Sequence, residues 1–381
     1  MAGIYIHIPY CRKACHYCNF HFSTTRYNAR EMVDCLLKEA VLQKHYFEQN
    51  QNGHTPDIAT IYFGGGTPSI LPAAWICELI SCIKDNYPVA ANAEITLEAN
   101  PDDISLKNLA DWQAAGVNRL SIGVQSFFDA DLKWMNRAHT AKEALQAIQW
   151  VGQAGMDNYS LDLIYGTPYL SDELWLENLQ KAAELGAPHL SAYALTVEPK
   201  TALFKLIEKG KIPPVDNARQ SRHFDLLMDW AAKNSFEHYE ISNLAKPGHR
   251  SRHNSSYWQG RPYLGLGPAA HSYDGLYTRK WNIDNNPLYL QAVNKGDLIF
   301  TEEHLTEENQ VNETIMIQLR MAEGIDLTTF EKRFGIQVSE TLLEKATAAI
   351  QKGQLINSDN HLVLTRAGKH FADHIAVMLF V

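Results

Sequence analysis

Three cysteines fall within eight residues, in Cys11-Arg-Lys-Ala-Cys15-His-Tyr-Cys18, while Cys35, Cys77 and Cys82 are scattered. Six cysteines in 381 residues are too few for a disulfide framework, so the tight group reads as a metal or redox site in a reducing compartment. Thiolates at spacings of four and three on a short loop can hold zinc when a fourth ligand joins, and His16 or His21 could supply it. The same trio suits a 4Fe–4S cluster with one iron free of protein ligands, where a substrate or cofactor can bind. Further along, Tyr62-Phe63-Gly64-Gly65-Gly66-Thr67-Pro68 lets backbone approach a ligand in conformations that a Cβ would forbid, although a tight strand-to-helix turn needs glycine equally. Leu97-Glu98-Ala99-Asn100-Pro101 offers a carboxylate, and Gln125 and Asp162 add polar groups to later apolar runs. Asp162 stands between Leu161 and Leu163 and needs a partner, because an unpaired buried carboxylate is costly. Each of these could be a structural hydrogen-bonder; their joint occurrence with the cysteine loop is hard to explain as packing.

The elements that must position these groups alternate. Apolar runs at 4–8, 58–63, 94–99, 119–124, 159–164 and 189–195 predict strands, with amphipathic helices at 31–47, 73–86, 105–115, 141–154 and 174–185. Ser105 and Thr140 are expected N-caps, and Gly116, Gly155 and Gly186 follow helical segments. Strand–helix alternation predicts an α/β fold of parallel strands with right-handed crossovers, and the spacing fits a curled partial barrel or an open doubly wound sheet. Parallel barrels carry function at the C-terminal ends of their strands, where the glycine turn, Glu98 and Gln125 fall. Cys35, Cys77 and Cys82 sit in helical patterns and are expected in the core.

The rhythm breaks at 236–300, which is rich in Gly, Pro, Tyr, Trp and Arg. Residues 244–282 hold six Lys/Arg against one acid, inverting the chain's formal charge of −9. From 301 the pattern becomes helices at 307–321, 327–334 and 339–352, short strands at 354–357 and 361–364, and a helix from about 366. Three helices and a hairpin predict a small α+β module resembling a winged helix. Its twelve acids against seven Lys/Arg argue against nucleic-acid docking, as the overall charge does for the whole chain. The organisation read from the sequence is therefore 1–235, 236–300 and 301–381. No secretory signal precedes the first strand run and no apolar window approaches ~18 residues, the run at 375–381 included. A cytoplasmic protein is expected, with transient contact at a membrane surface its only membrane association.

Taken in order, Cys-x-x-x-Cys-x-Tyr-Cys, Gly-Gly-Gly-Thr-Pro, Glu-Ala-Asn-Pro and Gly-Val-Gln-Ser-Phe resemble a radical S-adenosylmethionine protein. More narrowly, the chain resembles the group that unites the oxygen-independent coproporphyrinogen III oxidases with a branch of haem chaperones. The resemblance spans essentially the whole chain. It implies a partial parallel (β/α)6-type barrel with a small C-terminal winged-helix-like module. It implies that Cys11, Cys15 and Cys18 hold a 4Fe–4S cluster whose fourth iron is chelated by the methionine end of S-adenosylmethionine. Tyr5 and Tyr17 would flank that end, Gly65, Gly66 and Thr67 would cradle it, and Glu98 would reach the ribose. Gln125, Arg137 and Asp162 match positions that line a second S-adenosylmethionine site in the oxidase branch.

Two features separate the branches. The oxidases carry a further cysteine two residues after the cluster motif, where this chain has Phe20, and an N-terminal extension that is absent ahead of Cys11 here. His253-Asn254-Ser255-Ser256-Tyr257-Trp258 instead matches the His-Asn-x-x-Tyr-Trp signature of the chaperone branch. Imidazole is a common axial haem ligand, and Tyr257 and Trp258 could pack on a porphyrin face. Lys246, Arg250, Arg252 and Arg261 could pair with propionates. His249 and His271 compete as ligands, and 264–267 is expected to be a tight turn near the same site. The alternative is a core histidine beside gap-filling aromatics. The expected function is thus a haem carrier that transfers haem to respiratory haem proteins. The competing expectations are an anaerobic coproporphyrinogen III decarboxylase making protoporphyrinogen IX, and a radical enzyme on another substrate.

Overall fold

The computed structural model of the protein describes residues 1–48 and 55–381. Six strands, β1 Ala2–Ile8, β2 Ile58–Gly65, β3 Val89–Ala99, β4 Arg119–Gln125, β5 Tyr159–Tyr165 and β6 His189–Ala194, lie side by side in chain order. Every neighbouring pair among them is parallel. A doubly wound sheet reverses its strand order at a switch point. This one does not, so it is a singly wound, barrel-type sheet. Helices Ala29–Leu42, Ala73–Asn86, Leu106–Ala115, Ala141–Gln153 and Asp172–Glu184 fill the crossovers. The Ser105 hydroxyl accepts the Asn108 N–H, Thr140 and Glu143 form a reciprocal capping box, and Gly116 ends its helix at φ 102. The first helix stops at Leu42, short of the expected 47, and gives way to turns.

Each strand obeys the period-two rule of a pleated sheet. Ile4, Ile6, Ile8, Ile61, Phe63 and Leu161 are buried in the main apolar core, with the crossover helices. The alternate residues Tyr5, Tyr62, Glu98, Ser121 and Asp162 meet one another on the inner face. Among the remaining cysteines, Cys35 is buried and Cys82 half-buried, whereas Cys77 is exposed on its helix rather than part of the core.

Residues 236–300 extend this sheet at both edges. β7 Glu237–His238 and β8 Asn243–Ala245 add antiparallel strands beyond β6. The chain then crosses to the opposite edge, where β9 Tyr263–Leu266 pairs in parallel with β1. β10 His271–Tyr273, β11 Thr278–Asn282 and β12 Phe300–His304 continue outward antiparallel. The run expected as a tight turn at 264–267 is therefore largely strand. Its Gly265 is needed for close approach, since a Cβ there would stand 2.1 Å from the His271 carbonyl oxygen.

The C-terminal module has helices Glu307–Leu319, Leu327–Phe334 and Ile336–Gln351, followed by Arg366–Lys369 and Ala372–Leu379. Its sheet comprises β13 Ile325–Asp326, β14 Leu355–Ser358 and β15 His361–Leu364. Ile315, Phe330, Leu342, Leu362 and Ile375 form a core of its own. It joins the larger body through backbone bonds, Ile241 N–H to Arg320 O at 3.1 Å and Ala322 N–H to Tyr239 O at 2.9 Å.

One buried carboxylate ties the first helix to the β9–β11 edge. Glu39 accepts hydrogen bonds from Tyr289 Oη at 2.6 Å, Gly267 N at 2.7 Å and Asn282 Nδ2 at 2.7 Å. Glu39→Ala strands these donors in the core and is expected to cost about 3 kcal/mol, read as a lowered midpoint in urea unfolding. A midpoint unchanged from wild type would show that the edge is held by apolar packing alone.

Candidate functional site

The cysteine loop leaves β1 and closes on itself: Cys11 N–H donates to Ser23 O at 3.0 Å and Ser23 N–H to Pro9 O at 2.9 Å. Cys11, Cys15 and Cys18 are free thiols, half-buried, and all three line one cavity of about 410 Å³. The glycine turn after β2 lies against the start of this loop. Gly66 N–H donates to Ile8 O at 2.9 Å and Thr67 N–H to Tyr10 O at 2.7 Å. A Cβ on Gly66 would lie 2.5 Å from the Tyr10 carbonyl oxygen, so only glycine permits this approach. Arg137 pins the loop to the strands, with Nη1 on Cys15 Sγ at 3.4 Å and Nη2 on Asn100 Oδ1 and Gly123 O, both at 2.7 Å. Its buried Nε has no partner among the described residues.

The donor set discriminates between zinc and a cluster. Neither candidate fourth ligand turns to the thiols: His16 Nδ1 contacts Trp134 O at 2.8 Å, and His21 Nε2 contacts Asn286 Oδ1 at 2.7 Å. Among the described residues no three His, Cys, Asp or Glu side chains converge as a cage for a single ion. A cubane spreads its thiolates farther apart than one ion does and leaves an iron for a ligand from the cavity. Three thiols around an open cavity fit that group.

Across the cavity stand the acids of the inner sheet face. Glu98 accepts from Tyr62 Oη at 2.9 Å, and burial pushes its carboxyl up to about 7. Asp162 accepts from Ser121 Oγ at 3.2 Å, and burial pushes it up to about 6. Gln125 is buried in a left-handed conformation, φ 67, where the β4–β5 register shifts. Such backbone is rare for a residue with a Cβ and is often found at binding sites.

Two larger cavities adjoin this one. One, of about 830 Å³, is lined by Tyr5, His7, His21, His271 and Trp281. The other, of about 950 Å³ and bounded partly by the C-terminal module, is lined by Trp258, Tyr273, Arg279, Arg320 and Arg333. Tyr257 and Tyr263 line both. Phe20 lines all three cavities and is 67% exposed.

Comparison with known proteins agrees with this architecture. The profile of the Radical SAM superfamily matches residues 5–182, and that of the HemN C-terminal domain matches residues 305–371. The heme chaperone HemW of Bacillus subtilis (strain 168) is 32% identical over 377 residues, 98% of each chain. The heme chaperone HemW of Escherichia coli (strain K12) is 32% identical over 387 residues, 98% of this chain and 96% of that one. The chain belongs to the HemW family of radical SAM proteins. Its fold is that of the coproporphyrinogen III oxidase HemN from Escherichia coli, a radical SAM enzyme. That likeness has a TM-score of 0.82 at 22% identity, and covers 100% of this chain and 90% of the other.

The structure gathers most residues of the family motifs but separates some. Tyr17, Gly65, Gly66, Thr67, Glu98, Gln125, Arg137 and Asp162 line the three-thiol cavity. Tyr5 does not: it stacks on Tyr62, with centroids 6.1 Å apart, and faces the neighbouring cavity. His253, expected as an axial ligand, lies enclosed between Tyr62 and Tyr257 in this structure. Its ring is 1% exposed, with Nδ1 at 2.8 Å from Thr60 Oγ1 and Nε2 at 2.9 Å from Tyr257 Oη. It stacks on Tyr62, and burial together with the Arg119 charge lowers its pKa to about 3, so it is neutral and committed. Three of the four expected propionate partners are engaged: Arg250 pairs with Glu237 and Glu323, Arg252 Nη1 donates to Asn92 O at 2.6 Å, and Lys246 lies over Phe236, while Arg261 is exposed. Sequence reasoning missed Asn100, Tyr193 and the aromatic and arginine residues of β10 and β11. For β11 a signal existed, the alternation of Arg279 with Trp281. His253→Ala is expected to cost about 3 kcal/mol in denaturant unfolding, by opening a cavity and stranding the Tyr257 and Thr60 hydroxyls. A loss under about 1 kcal/mol would show that the ring is not a core group.

Proposed function

We propose that this protein is a haem carrier of the radical SAM superfamily that transfers haem to respiratory haem proteins in the cytoplasm. The observation that carries the reading is the pair of aromatic cavities sharing Phe20 with the three-thiol cavity, in a chain similar end to end to HemW chaperones. Cys11, Cys15 and Cys18 would hold a 4Fe–4S cluster, and S-adenosylmethionine would occupy the cavity of about 410 Å³ beside it. Together those groups supply one-electron reductive chemistry. The protein's own contribution is placement. The turn at Gly65, Gly66 and Thr67 presents backbone to the methionine end, and Arg137 holds Cys15 in register with β3 and β4. Glu98, once ionised, accepts from the ribose hydroxyls. Gln125, Arg137 and Asp162 line the same cavity and match the positions of a second S-adenosylmethionine site in the oxidase branch. No helix among the described residues is long and apolar enough to cross a membrane, and the acceptor is met from solution or at a membrane surface.

The test is a matched pair of assays on anaerobically reconstituted full-length protein. Hemin titration is expected to saturate, and coproporphyrinogen III with reductant and S-adenosylmethionine is expected to yield no protoporphyrinogen IX. The reduced protein should give an iron–sulfur EPR signal that S-adenosylmethionine perturbs and Cys15→Ala abolishes. Robust decarboxylation without hemin binding would replace the carrier reading with an oxidase.

Affinity for S-adenosylmethionine should follow the charge on Glu98. Its carboxyl is held at about 7, so it is protonated below that pH and ionised above it. Binding measured by equilibrium dialysis is expected to tighten as pH rises from about 6 to 8. Glu98→Gln should remove the inflection; a wild-type profile in that variant would place the titrating group elsewhere.

A further inference from the structure

Three buried polar atoms lie without partners where the C-terminal module meets the larger body. They border the cavity of about 950 Å³, between the short helix Arg252–Trp258 and the helix Glu307–Leu319. Trp258 Nε1, Arg320 Nε and Glu240 Oε2 are closed off from water and have no hydrogen-bond partner among the described residues. All three side chains line this cavity, and the Arg320 guanidinium stands 5.6 Å from the centre of the Trp258 ring. One such orphan is rare in a packed protein, and three around one cavity point to a polar occupant. An occupant that completes their bonds recovers the cost of leaving them unmade.

The chemistry of the three groups selects that occupant. The indole and guanidinium N–H groups can only donate. Glu240 already accepts through Oε1, from Ser242 N at 3.0 Å and from Asn243 Nδ2. Burial pushes its carboxyl up, towards the protonated form, whose hydroxyl donates as well. The missing partner is therefore an acceptor. A carboxylate matches the planar guanidinium, and its charge strengthens every bond it accepts.

The remaining charges leave a place for it. Glu313 holds Arg279 at 2.6 Å, and Asp373 takes Nη1 of Arg320 but not Nε. Asp373 is itself 72% exposed, so that pair is a weak one. Arg333 is exposed and has no acidic partner among the described residues. With Glu240 uncharged, the cavity sets Arg279, Arg320 and Arg333 against Glu313 and Asp373 alone. Tyr257, Tyr263 and Tyr273 line the same space and offer ring faces to the body of a flat aromatic ligand.

We propose that Trp258, Arg320 and Arg333 form a carboxylate subsite that takes a propionate of the porphyrin. The assignment rests on the haem-carrier reading and names where the anionic edge of the cargo is held. It also gives the C-terminal module a part in binding. Arg320 caps the end of Glu307–Leu319 and Arg333 lies in Leu327–Phe334, so the subsite is complete only with the module in place.

Hemin, iron-free protoporphyrin IX and the dimethyl ester of each are titrated in the same dilute detergent against full-length wild type, Trp258→Phe, Arg320→Gln and Arg333→Gln. Acid and ester differ only at the carboxylates, and the iron-free pair has no metal–ligand bond. The readout is the ratio of acid to ester affinity, in which a loss of folded protein common to both cancels. Wild type is expected to prefer the acids about tenfold or more. Trp258→Phe keeps a ring and removes the N–H; it and Arg333→Gln should each cut the preference about threefold, and Arg320→Gln should cut it further. Equal wild-type affinity for acid and ester overturns the subsite and leaves the carrier reading standing. A wild-type preference in Arg320→Gln, or in both other variants, overturns it too. Equal losses for acid and ester do the same, because they mark packing groups. A wild-type protein that binds none of the four ligands refutes the carrier reading itself, a separate result.

Discussion

The site depends on one constraint, the alternation of β1–β6 that sends apolar side chains out beneath the helices and polar ones inward. Parallel barrels usually fill their interior with layers of branched apolar residues. Here the interior carries Tyr62, Glu98, Ser121, Asp162 and His189, which cannot be buried alone and so hold one another in place. Tyr62 bonds Glu98, Ser121 bonds Asp162, and His189 Nε2 meets Tyr239 Oη at 2.7 Å. Removal from water is what lifts the pKa values of Glu98 and Asp162 toward neutrality, so both become responsive near physiological pH. A polar interior also leaves the C-terminal mouth open, and the cysteine loop caps it there.

Widening the sheet solves a second problem. A barrel of six strands has two free edges, which are sites of unwanted pairing unless covered. Residues 236–300 cover both, with β8 and β7 beyond β6 and β9–β12 beyond β1. The second set is more than edge protection. It forms a wall of aromatic and basic residues against the cavity mouth, and Glu39 fixes that wall to the first helix by bonding Gly267, Asn282 and Tyr289. A charge that costs energy to bury is here satisfied by donors from three separate segments, which makes the wall's placement specific rather than approximate.

Much of this was legible from sequence, because the cues are local. The six strands and their helices follow from apolar periodicity, and the caps at Ser105 and Thr140 lie where the pattern starts. The cysteine loop and the residues that surround its cavity are contiguous motifs with fixed offsets. What failed was non-local. Leu264-Gly265-Leu266 looks like a turn because its glycine suits one; that it pairs with β1, some 260 residues earlier, depends on a contact no local pattern encodes. Cys77 shares the amphipathic helix of its neighbours yet lies on the face that the core does not reach. His253 has the residue type of a haem ligand, and its burial against Thr60 of β2 is likewise a long-range contact that no local pattern encodes.

That burial gives the motif around it a structural task. His253 sits between Thr60 on β2 and the Tyr257 hydroxyl one helical turn away, and its backbone N–H bonds Glu94 Oε1 at 3.0 Å. A neutral, doubly bonded imidazole at such a junction fixes the orientation of the short helix Arg252–Trp258 relative to β2 and β3. The consequence appears at the other end of that helix, where Tyr257 is held between the two aromatic cavities and Trp258 faces the larger one with its indole Nε1 buried and without a partner among the described residues. A buried indole N–H without an acceptor is rare in a finished core. It is the kind of donor that a carboxylate of a bound ligand would satisfy. Histidine and tyrosine act in series here: the first anchors the helix, and the second divides the chamber.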